Sequence, residues 1–306
     1  MDENIRADIL LATYNGEKYI EKQLRSLLEQ SYKNIKIYVS DDASTDGTVD
    51  IIKKYQKDHG DKIYLKVNSK NYGNACDNFF SLLPMAKGDV IFFCDQDDIW
   101  KKTKVERTLK EFENVSSPLL VHTDLTVIDE NDRVLYPSMI GTQKINIKRK
   151  DINFLLAQNN VTGCSSAINR ALADILKKPE GIPVHDWWIA VTASLFGDIK
   201  YISFPTIYYR SHAHNLCGPK DMSSGKYILS RIKEYKRNRN IAFLTYSLAA
   251  QLLEKYGNKL KGKDKKMLED IASLSRKNKI VRIRVLKKYR IFKNGIVRRV
   301  GQLMYL

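Results

Sequence analysis

The first third of the chain alternates between short apolar runs and stretches with helical spacing. Residues 8–12 form an apolar run that predicts a strand. The apolar positions that follow recur at intervals of three and four, which indicates one buried face of a helix. These positions are Ile20, Leu24, Leu27 and Leu28. The same alternation continues and predicts strands over residues 35–40, 62–67 and 89–94, a helix over residues 48–57, and a helix after the turn at Gly73.

Strands and helices that alternate at these lengths predict an α/β layer with parallel strands joined by right-handed crossovers. In such sheets, ligands bind beyond the carboxyl ends of the strands. Three polar turns follow predicted strands, at residues 13–16, 41–42 and 95–98. We therefore expect all three turns at one edge of the sheet, around a single cleft.

The chain up to residue 219 is expected to complete this domain with mixed elements. They are strands over residues 119–129 and 199–212, a turn leading into a helix over residues 159–176, and a helix that begins near His185. From about Pro219 the pattern becomes long, basic and helical, and the Gly-Pro pair favours a boundary near residue 220. The predicted organisation is an α/β domain over residues 1–219 and a basic helical region over residues 220–306.

The formal net charge of +17 is concentrated in the last third of the chain. Residues 220–306 hold 24 Lys and Arg against 6 Asp and Glu, whereas residues 1–219 hold 28 against 29. Such asymmetry indicates a polyanionic partner, either nucleic acid or an anionic membrane surface. Because basic and apolar residues are mixed and no nucleic-acid module is recognised, we expect an anionic membrane surface and no nucleic acid. The alternative is a helical layer packed on the first domain with a solvated basic face.

Several classes of protein do not fit the sequence. It lacks the GxGxxG dinucleotide fingerprint and the phosphate loop, which argues against an NAD enzyme and a P-loop NTPase. It has no apolar run of the ~18–20 residues that span a bilayer and no signal-peptide pattern. The four cysteines (Cys76, Cys94, Cys164 and Cys217) lack metal-binding spacing, so we expect reduced thiols. The predicted location is the cytoplasm, peripheral on the inner face of the membrane.

Three carboxylates crowd the end of the apolar strand over residues 89–94. Asp95, Asp97 and Asp98 follow it directly, and like charges this close raise each other's pKa unless a cation separates them. Carboxylate oxygens suit Mg²⁺ or Mn²⁺, so Asp95 and Asp97 are candidate metal ligands. In the alternative interpretation the turn is solvated, and Asp98 caps the helix that follows.

Polar residues at the other strand ends are candidates for binding a nucleotide. They are Thr13, Asn15, Asp42, Asn71, Gly73 and Asn78. The Asp42 carboxylate could accept hydrogen bonds from a base or a sugar. In the turn over residues 71–78, backbone N–H groups at a helix start could face phosphate. Plain strand–turn–helix junctions are the alternative.

A second group of candidates begins with the pair His185 and Asp186, at the start of a predicted helix. Asp186 could act as a general base if a substrate hydroxyl reaches it, and a helix cap is the alternative. Trp187 and Trp188, which follow, either fill the core or stack on a sugar ring.

Three basic residues stand in the sequence "YYRSHAHN": Arg210, His212 and His214. Arg210 and a histidine could neutralise a diphosphate. His212 could instead complete the coordination of a metal ion. A plain polar loop is the alternative for all three residues.

Taken in order, these motifs closely resemble the large family 2 of inverting glycosyltransferases. The resemblance covers residues 6–217 and is carried by "LLATYNGEKYIEKQLRSLLEQSY", "IYVSDDASTDGT", "NYGNACDNF", "GDVIFFCDQDDIW", "NVTGCSSAINR" and "HDWWIAVTASLFG". It implies the GT-A fold, a Rossmann-like and mostly parallel central sheet flanked by helices. The basic C-terminal region lies outside the shared core.

The resemblance implies how a sugar nucleotide is held. Thr13 and neighbouring Asn15 match the first strand end, which contacts the base in this family. Asp42 would bond the edge of the base. Asp95 and Asp97 match the DxD pair, which holds Mg²⁺ or Mn²⁺ and, through the metal, the donor diphosphate.

The resemblance also implies the reacting side of the site. Asp186 matches the family's catalytic base, and His185 replaces the glutamate that usually precedes it. Gly163 and His185 belong to the segments expected to shape the pocket for sugar or acceptor. "HDWW" followed by "YYRSHAHN" is similar to a rhamnosyltransferase-like subgroup of bacterial surface-polysaccharide synthesis.

The implied function is inverting transfer of a sugar, with rhamnose one candidate, from a nucleotide-diphosphate donor to a hydroxyl of a lipid-linked glycan. Two other classes remain open at the level of sequence. One is a DxD-type phosphatase with Asp95 as its nucleophile. The other is a non-enzymatic adaptor that binds membrane or nucleic acid through the basic region.

Overall fold

A computed structural model describes residues 4–212 and 235–306 of the chain. The predicted strand–helix alternation is present over the first hundred residues. It comprises β1 (Ala7–Thr13), α1 (Ile20–Leu28), β2 (Ile35–Asp41), α2 (Thr48–Asp58), β3 (Ile63–Val67), α3 (Ala75–Leu82) and β4 (Val90–Asp95). The core strands β1 and β4 are buried almost throughout, as the unbroken apolar runs predict.

The second half contributes further strands and helices to the same sheet. They are β5 (Ile99–Trp100), α4 (Lys104–Leu109), β6 (Leu119–Ile128), β7 (Val134–Tyr136), α5 (Met139–Gln143), α6 (Ile152–Ala157), β8 (Ser166–Asn169), α7 (Arg170–Ile175), α8 (His185–Phe196) and β9 (Asp198–Arg210). The sheet order is β3-β2-β1-β4-β8-β6-β9-β5, with β7 paired to β6. Strands β1 to β4 pair in parallel, as do β6 and β9, whereas β8 runs antiparallel to both of its neighbours.

The sequence prediction missed strand β8. The segment over residues 159–176 was expected to be a turn leading into a helix, and the helix α7 is present. Four residues before it form β8, which closes the gap between β4 and β6. A four-residue strand is too short to show a period of its own, and its pairing comes from the two long strands beside it.

The parallel pairing brings the three polar turns to one edge, as expected. Thr13 at the end of β1 lies opposite Asp41 at the end of β2, and Ala12 lies opposite Asp95 at the end of β4. The Thr13 hydroxyl donates to the Asp41 carboxylate at 2.9 Å, across the two strands. The carboxyl ends of β1, β2 and β4 therefore form one continuous polar rim.

The C-terminal helices are α9 (Tyr235–Tyr256), α10 (Gly262–Ala272), α11 (Lys279–Lys288) and α12 (Ile296–Met304). Buried side chains of α9 and α10, such as Leu252 and Leu268, belong to the same apolar core as Trp188 and Phe93. The predicted boundary near residue 220 and the candidate His214 lie outside the described residues. Among the residues described, no helix combines the length and the apolar character needed to cross a bilayer.

Candidate functional site

The acidic turn after β4 separates its three carboxylates by burial. Asp98 is buried, and its carboxylate accepts the backbone N–H of Arg210 at 3.0 Å. The prediction that Asp98 caps the following helix is wrong. The helix α4 starts six residues later and has no side-chain cap, and Asp98 ties the turn to the last strand instead. Asp95 and Asp97 remain partly accessible.

Asp97 and His212 come together at the rim. His212 Nε2 lies 2.7 Å from Asp97 Oδ2, which joins two of the three predicted metal-binding residues. The His212 ring stacks on Tyr19, with 5.6 Å between ring centroids. Tyr19 also lies under the Arg210 guanidinium, at 4.7 Å. The sequence carries no signal that links Tyr19 to residues at the far end of the domain.

Arg210 is buried inside the protein and does not face the rim. Its Nε donates to the Asp97 carbonyl at 2.9 Å, and its NH1 group donates to the Asp129 carbonyl at 3.0 Å and pairs with Asp132. The buried position of Arg210 contradicts the predicted contact between its guanidinium and a diphosphate. The guanidinium fixes the backbone of the acidic turn, a role that a polar-loop pattern does not reveal.

The rim carries a dense negative charge. Burial raises the pKa of Asp95 to about 7, and repulsion by Asp97 and Asp186 adds to the rise. Burial likewise raises the pKa of Asp98 well above its usual range. Lys104 lies within the protein, 4.6 Å from the Trp100 ring, and burial lowers its pKa to about 8. This lysine was not predicted as part of the site, because its neighbours read as an ordinary surface helix.

The predicted base, Asp186, begins helix α8. Its carboxylate accepts the backbone N–H of Gly163 at 3.1 Å and that of Trp187 at 2.6 Å. Burial raises the pKa of Asp186 to about 6, while these hydrogen bonds and one with Asn159 limit the rise. The site therefore holds a carboxylate that is ionised near neutral pH and is poised to take up a proton. Asn159 was not predicted.

His185 lies behind the base in an apolar niche. Its ring centroid is 4.1 Å from that of Phe79 and 5.1 Å from that of Phe93, and burial lowers its pKa to about 3. Its Nε2 has no hydrogen-bond partner among the described residues. A Cβ on Gly163 would meet that nitrogen at 2.7 Å, so only glycine fits there without movement. His185 is thus a neutral group that packs against the backbone at Gly163.

Trp187 and Trp188 belong to the core. Trp188 has no exposed surface, and its indole N–H donates to the Lys177 carbonyl at 2.8 Å. The indole of Trp187 is also buried and donates to the Leu155 carbonyl at 2.5 Å. Neither ring has an open face, so the prediction that one of them stacks on a sugar is wrong. The alternative interpretation, that they fill the core, is the one the packing supports.

The residues predicted to bind the nucleotide surround the ends of β1 to β3. The Asp42 carboxylate accepts the backbone N–H of Tyr72 at 2.9 and 3.0 Å, which ties the turn over residues 71–73 to β2. Asn71 accepts the backbone N–H of Gly73, which has a positive φ of 77°. The space where a Cβ of Gly73 would lie is open. This turn can therefore admit a ligand close to its backbone.

The other residues of this group have structural partners. Asn15 has a positive φ of 47°, and its side-chain oxygen accepts the backbone N–H of Thr45 at 2.8 Å. Asn78 is buried, and its amide donates to the Ser40 carbonyl at 3.1 Å. The Asn78 side chain therefore supports the turn from beneath, and a phosphate contact of the backbone N–H groups in this turn remains a prediction. Contacts of Thr13 and Asn15 with a nucleotide remain predictions.

The described residues include an acidic group that could hold a metal ion. Ligand atoms of Asp95, Asp98 and Cys164 lie within 4.8 Å of one another. Burial raises the pKa of the Cys164 thiol well above its usual range, so the thiol stays protonated and is a poor ligand. The predicted set of Asp95, Asp97 and His212 offers carboxylate oxygens and an imidazole nitrogen, donors that suit Mn²⁺ or Mg²⁺, and it remains a prediction.

Solved structures show the same fold. The chain is similar to S. aureus TarS 1–349 in complex with UDP-GlcNAc, with a TM-score of 0.57 and 19% identity over 98% of this chain and 90% of that one. It is also similar to the mannosyltransferase PcManGT from Pyrobaculum calidifontis in complex with GDP-Man and Mn²⁺. That comparison gives a TM-score of 0.53 and 17% identity over 99% and 88% of the two chains. The predicted GT-A fold is confirmed.

Sequence comparisons identify the family to which the chain belongs. It is 31% identical over 234 residues to the dTDP-rhamnosyl transferase RfbG of Shigella flexneri, which covers 71% of this chain and 76% of the relative. Over 102 residues it is 36% identical to the putative teichuronic acid biosynthesis glycosyltransferase TuaG of Bacillus subtilis, 33% of this chain and 40% of that one. The profile of Glycosyl transferase family 2 matches residues 8–176. The chain therefore belongs to glycosyl transferase family 2.

Proposed function

We propose that the protein transfers a sugar, with inversion, from a nucleotide-diphosphate donor to a hydroxyl group of a lipid-linked glycan. The observation that carries this proposal is the placement of Asp186 beside the acidic turn. Its carboxylate accepts the N–H of Gly163, and the thiol of the next residue, Cys164, lies within 4.8 Å of an Asp95 carboxylate oxygen. This placement supports a base and a diphosphate site in one cleft, which is the arrangement that glycosyl transfer requires.

The reaction uses Asp186 as its base. The ionised carboxylate, held by the N–H groups of Gly163 and Trp187, takes the proton of the acceptor hydroxyl. The hydroxyl oxygen forms its bond to the anomeric carbon from the face opposite the leaving diphosphate, and the bond to the diphosphate breaks. The configuration at the anomeric carbon is therefore inverted.

Asp95, Asp97 and His212 are the residues that would hold Mg²⁺ or Mn²⁺. When bound, the metal supplies positive charge that stabilises the leaving diphosphate. Tyr19 orients His212 by stacking, and Arg210 fixes the carbonyl of Asp97. The likeness to PcManGT, which was solved with GDP-Man and Mn²⁺, supports this assignment.

A deoxyhexose donor such as dTDP-rhamnose is the first candidate to test. The sequence relative RfbG, a dTDP-rhamnosyl transferase, supports it. The acceptor is proposed to be a lipid-linked precursor of a bacterial surface polysaccharide. We accordingly place the protein on the cytoplasmic face of the cell membrane, with the basic C-terminal region towards anionic lipid.

The proposal is tested by the melting temperature in the presence of dTDP, UDP or GDP with Mn²⁺. At least one nucleotide diphosphate is expected to raise it by several degrees when present at about 100 times its Kd. Asp97→Ala is expected to abolish the shift, because it removes a metal ligand that is paired with His212. Stabilisation that persists in this variant, or that is absent with every nucleotide diphosphate in the wild-type protein, would contradict the proposal.

Gly163→Ala is expected to lower the rate of transfer by about 10- to 100-fold. The added carbon would lie 2.7 Å from His185 and 3.5 Å from the Asp186 Cβ, and a displaced base reacts slowly. Steady-state transfer rates measure the effect. Gly60→Ala is the control, because its added carbon meets the Gln56 carbonyl oxygen at 3.1 Å, away from the cleft. Equal rates for both variants would show that Gly163 does not position the base.

A further inference from the structure

Helix α12 (Ile296–Met304) exposes its apolar face, whereas an ordinary surface helix buries it. A surface helix buries its apolar stripe against the core and exposes its polar face. In α12 the apolar residues point outward, with Ile296 81% exposed and Val300 51% exposed. Val297 and Met304 lie on the same exposed face. Their spacing of one, four and eight residues from Ile296 makes a continuous apolar stripe.

The polar face of α12 attaches the helix to the protein. The Arg298 guanidinium donates to the Gln143 carbonyl at 2.7 Å. Gln302 is buried, and its amide donates to the Ile291 carbonyl at 3.1 Å while its oxygen accepts the Lys293 N–H. Because these bonds hold the helix by its polar side, the outward direction of the apolar stripe is fixed by the structure.

The surroundings of this stripe are strongly basic. Residues 271–306 contain eleven Lys and Arg and no Asp or Glu. Arg299 and Arg290 are exposed near the stripe. Lys288 pairs with Asp270, just before this segment. An apolar face beside such an excess of positive charge matches the interface of an anionic bilayer, where acyl chains meet phosphate groups.

We propose that α12 lies in the plane of an anionic lipid bilayer and inserts Ile296, Val297, Val300 and Met304 at the boundary between headgroups and acyl chains. Apolar burial supplies part of the attraction, and the basic residues of 271–306 supply the rest. A second copy of this chain would bring two such basic surfaces together, and the repulsion between them disfavours a dimer through this face.

The position of α12 also connects the membrane surface to the cleft. The Asn294 backbone N–H, just before the helix, donates to the Gln158 side chain at 2.9 Å. The next residue, Asn159, donates to the Val161 carbonyl, two residues before Gly163, whose N–H donates to the carboxylate of Asp186. The docked helix would thus hold the base close to the bilayer, where a lipid-linked hydroxyl is presented. This last step rests on the proposed function, whereas membrane binding by α12 does not.

Co-sedimentation with lipid vesicles tests the proposal. The full-length protein is expected to bind vesicles of phosphatidylcholine with about 25% phosphatidylglycerol, and to bind pure phosphatidylcholine vesicles at least about tenfold more weakly. The double variant Ile296→Asp with Val300→Asp is expected to lose about tenfold or more of the binding to anionic vesicles. The matched control is Val134→Asp with Leu135→Asp, which places the same charges on the exposed strand β7.

Three results would overturn the proposal. They are absence of binding to anionic vesicles by the wild-type protein, equal loss in the α12 variant and the β7 control, and a wild-type dimer that the α12 variant converts to a monomer. The melting-temperature shift with nucleotide diphosphate and Mn²⁺ is measured on the same samples. The shift is expected to be unchanged in the α12 variant, so failure of membrane docking is distinguishable from failure of the proposed function.

Discussion

Replacing Asp186 by asparagine is expected to lower the rate of sugar transfer by about 10³-fold while leaving the affinity for donor and metal within about twofold. Asparagine has nearly the same shape and keeps one acceptor oxygen, so it retains one of the two bonds that Gly163 and Trp187 donate to separate oxygens of the carboxylate. It cannot take a proton from the acceptor hydroxyl. Transfer rates and calorimetric titration of the donor measure the two quantities separately.

The dependence on pH provides an independent readout of the same residue. Because burial raises the pKa of Asp186 to about 6, the base is ionised above this value and protonated below it. At saturating Mn²⁺ the wild-type kcat is expected to fall about tenfold per pH unit below about pH 6. The residual rate of Asp186→Asn is expected to lack that limb. Full activity of the variant, or the same acid limb in both proteins, would exclude Asp186 as the base.

Replacing Asp95 by asparagine is expected to raise the melting temperature of the metal-free protein while abolishing its stabilisation by nucleotide diphosphate with Mn²⁺. Burial and like charges raise the pKa of Asp95 from 3.8 to about 7. Ionising this group is therefore harder in the folded than in the unfolded protein. The wild-type protein loses stability as pH rises from about 4 to about 7. At pH 8 the full cost of ionising Asp95 is present. The uncharged asparagine side chain removes this cost.

The expected gain for Asp95→Asn at pH 8 is about 1–2 kcal/mol, or about 3 °C in melting temperature. At about pH 3 the gain is expected to vanish, because the carboxyl group is then protonated in both the folded and the unfolded protein. Asp61→Asn, at an exposed turn, is the control and is expected to change neither quantity. A variant that is less stable than the wild-type protein at pH 8, or that still responds to Mn²⁺ and nucleotide, would contradict the assignment of Asp95.

Asp95→Asn is expected to raise stability and to abolish ligand binding for one physical reason. Asp95, Asp97 and Asp186 are held close together in a partly buried cleft, where their charges repel each other. Arg210 holds the turn in this arrangement through the Asp97 carbonyl and the Asp132 carboxylate. In the proposed function, a bound divalent cation would reduce the repulsion among these carboxylates.

The sheet and the position of the cleft could be predicted from the sequence because both depend on local patterns. Apolar runs and helical spacing recur over the first hundred residues, and polar turns follow the strands. The parallel pairing then brings Thr13, Asp41 and Asp95 to one edge without further information. Strand β8 was missed because four residues carry no period, and its place depends on β4 and β6.

The roles of individual side chains depend on contacts between distant segments, which no local pattern contains. Asp98 could cap a helix by its position, but the backbone of Arg210 takes up its carboxylate. Trp188 could stack on a sugar, but Tyr256 from a C-terminal helix packs against it at 6.0 Å between centroids. The amphipathic pattern of α12 likewise does not tell which face of the helix points to solvent. The hydrogen bonds of Arg298 and Gln302 show that the polar face is attached to the protein and the apolar face is exposed.

The central claim is that one cleft holds a nucleotide-sugar diphosphate at the acidic turn and activates a hydroxyl at Asp186. Its most direct test is proton NMR of the slow hydrolysis of a donor that binds, in the presence of Mn²⁺, with water as the acceptor. The account predicts release of a nucleoside diphosphate, and a free sugar whose first-formed anomer has the configuration opposite to that of the donor. Release of inorganic phosphate, or a first-formed anomer with the donor's configuration, would contradict it.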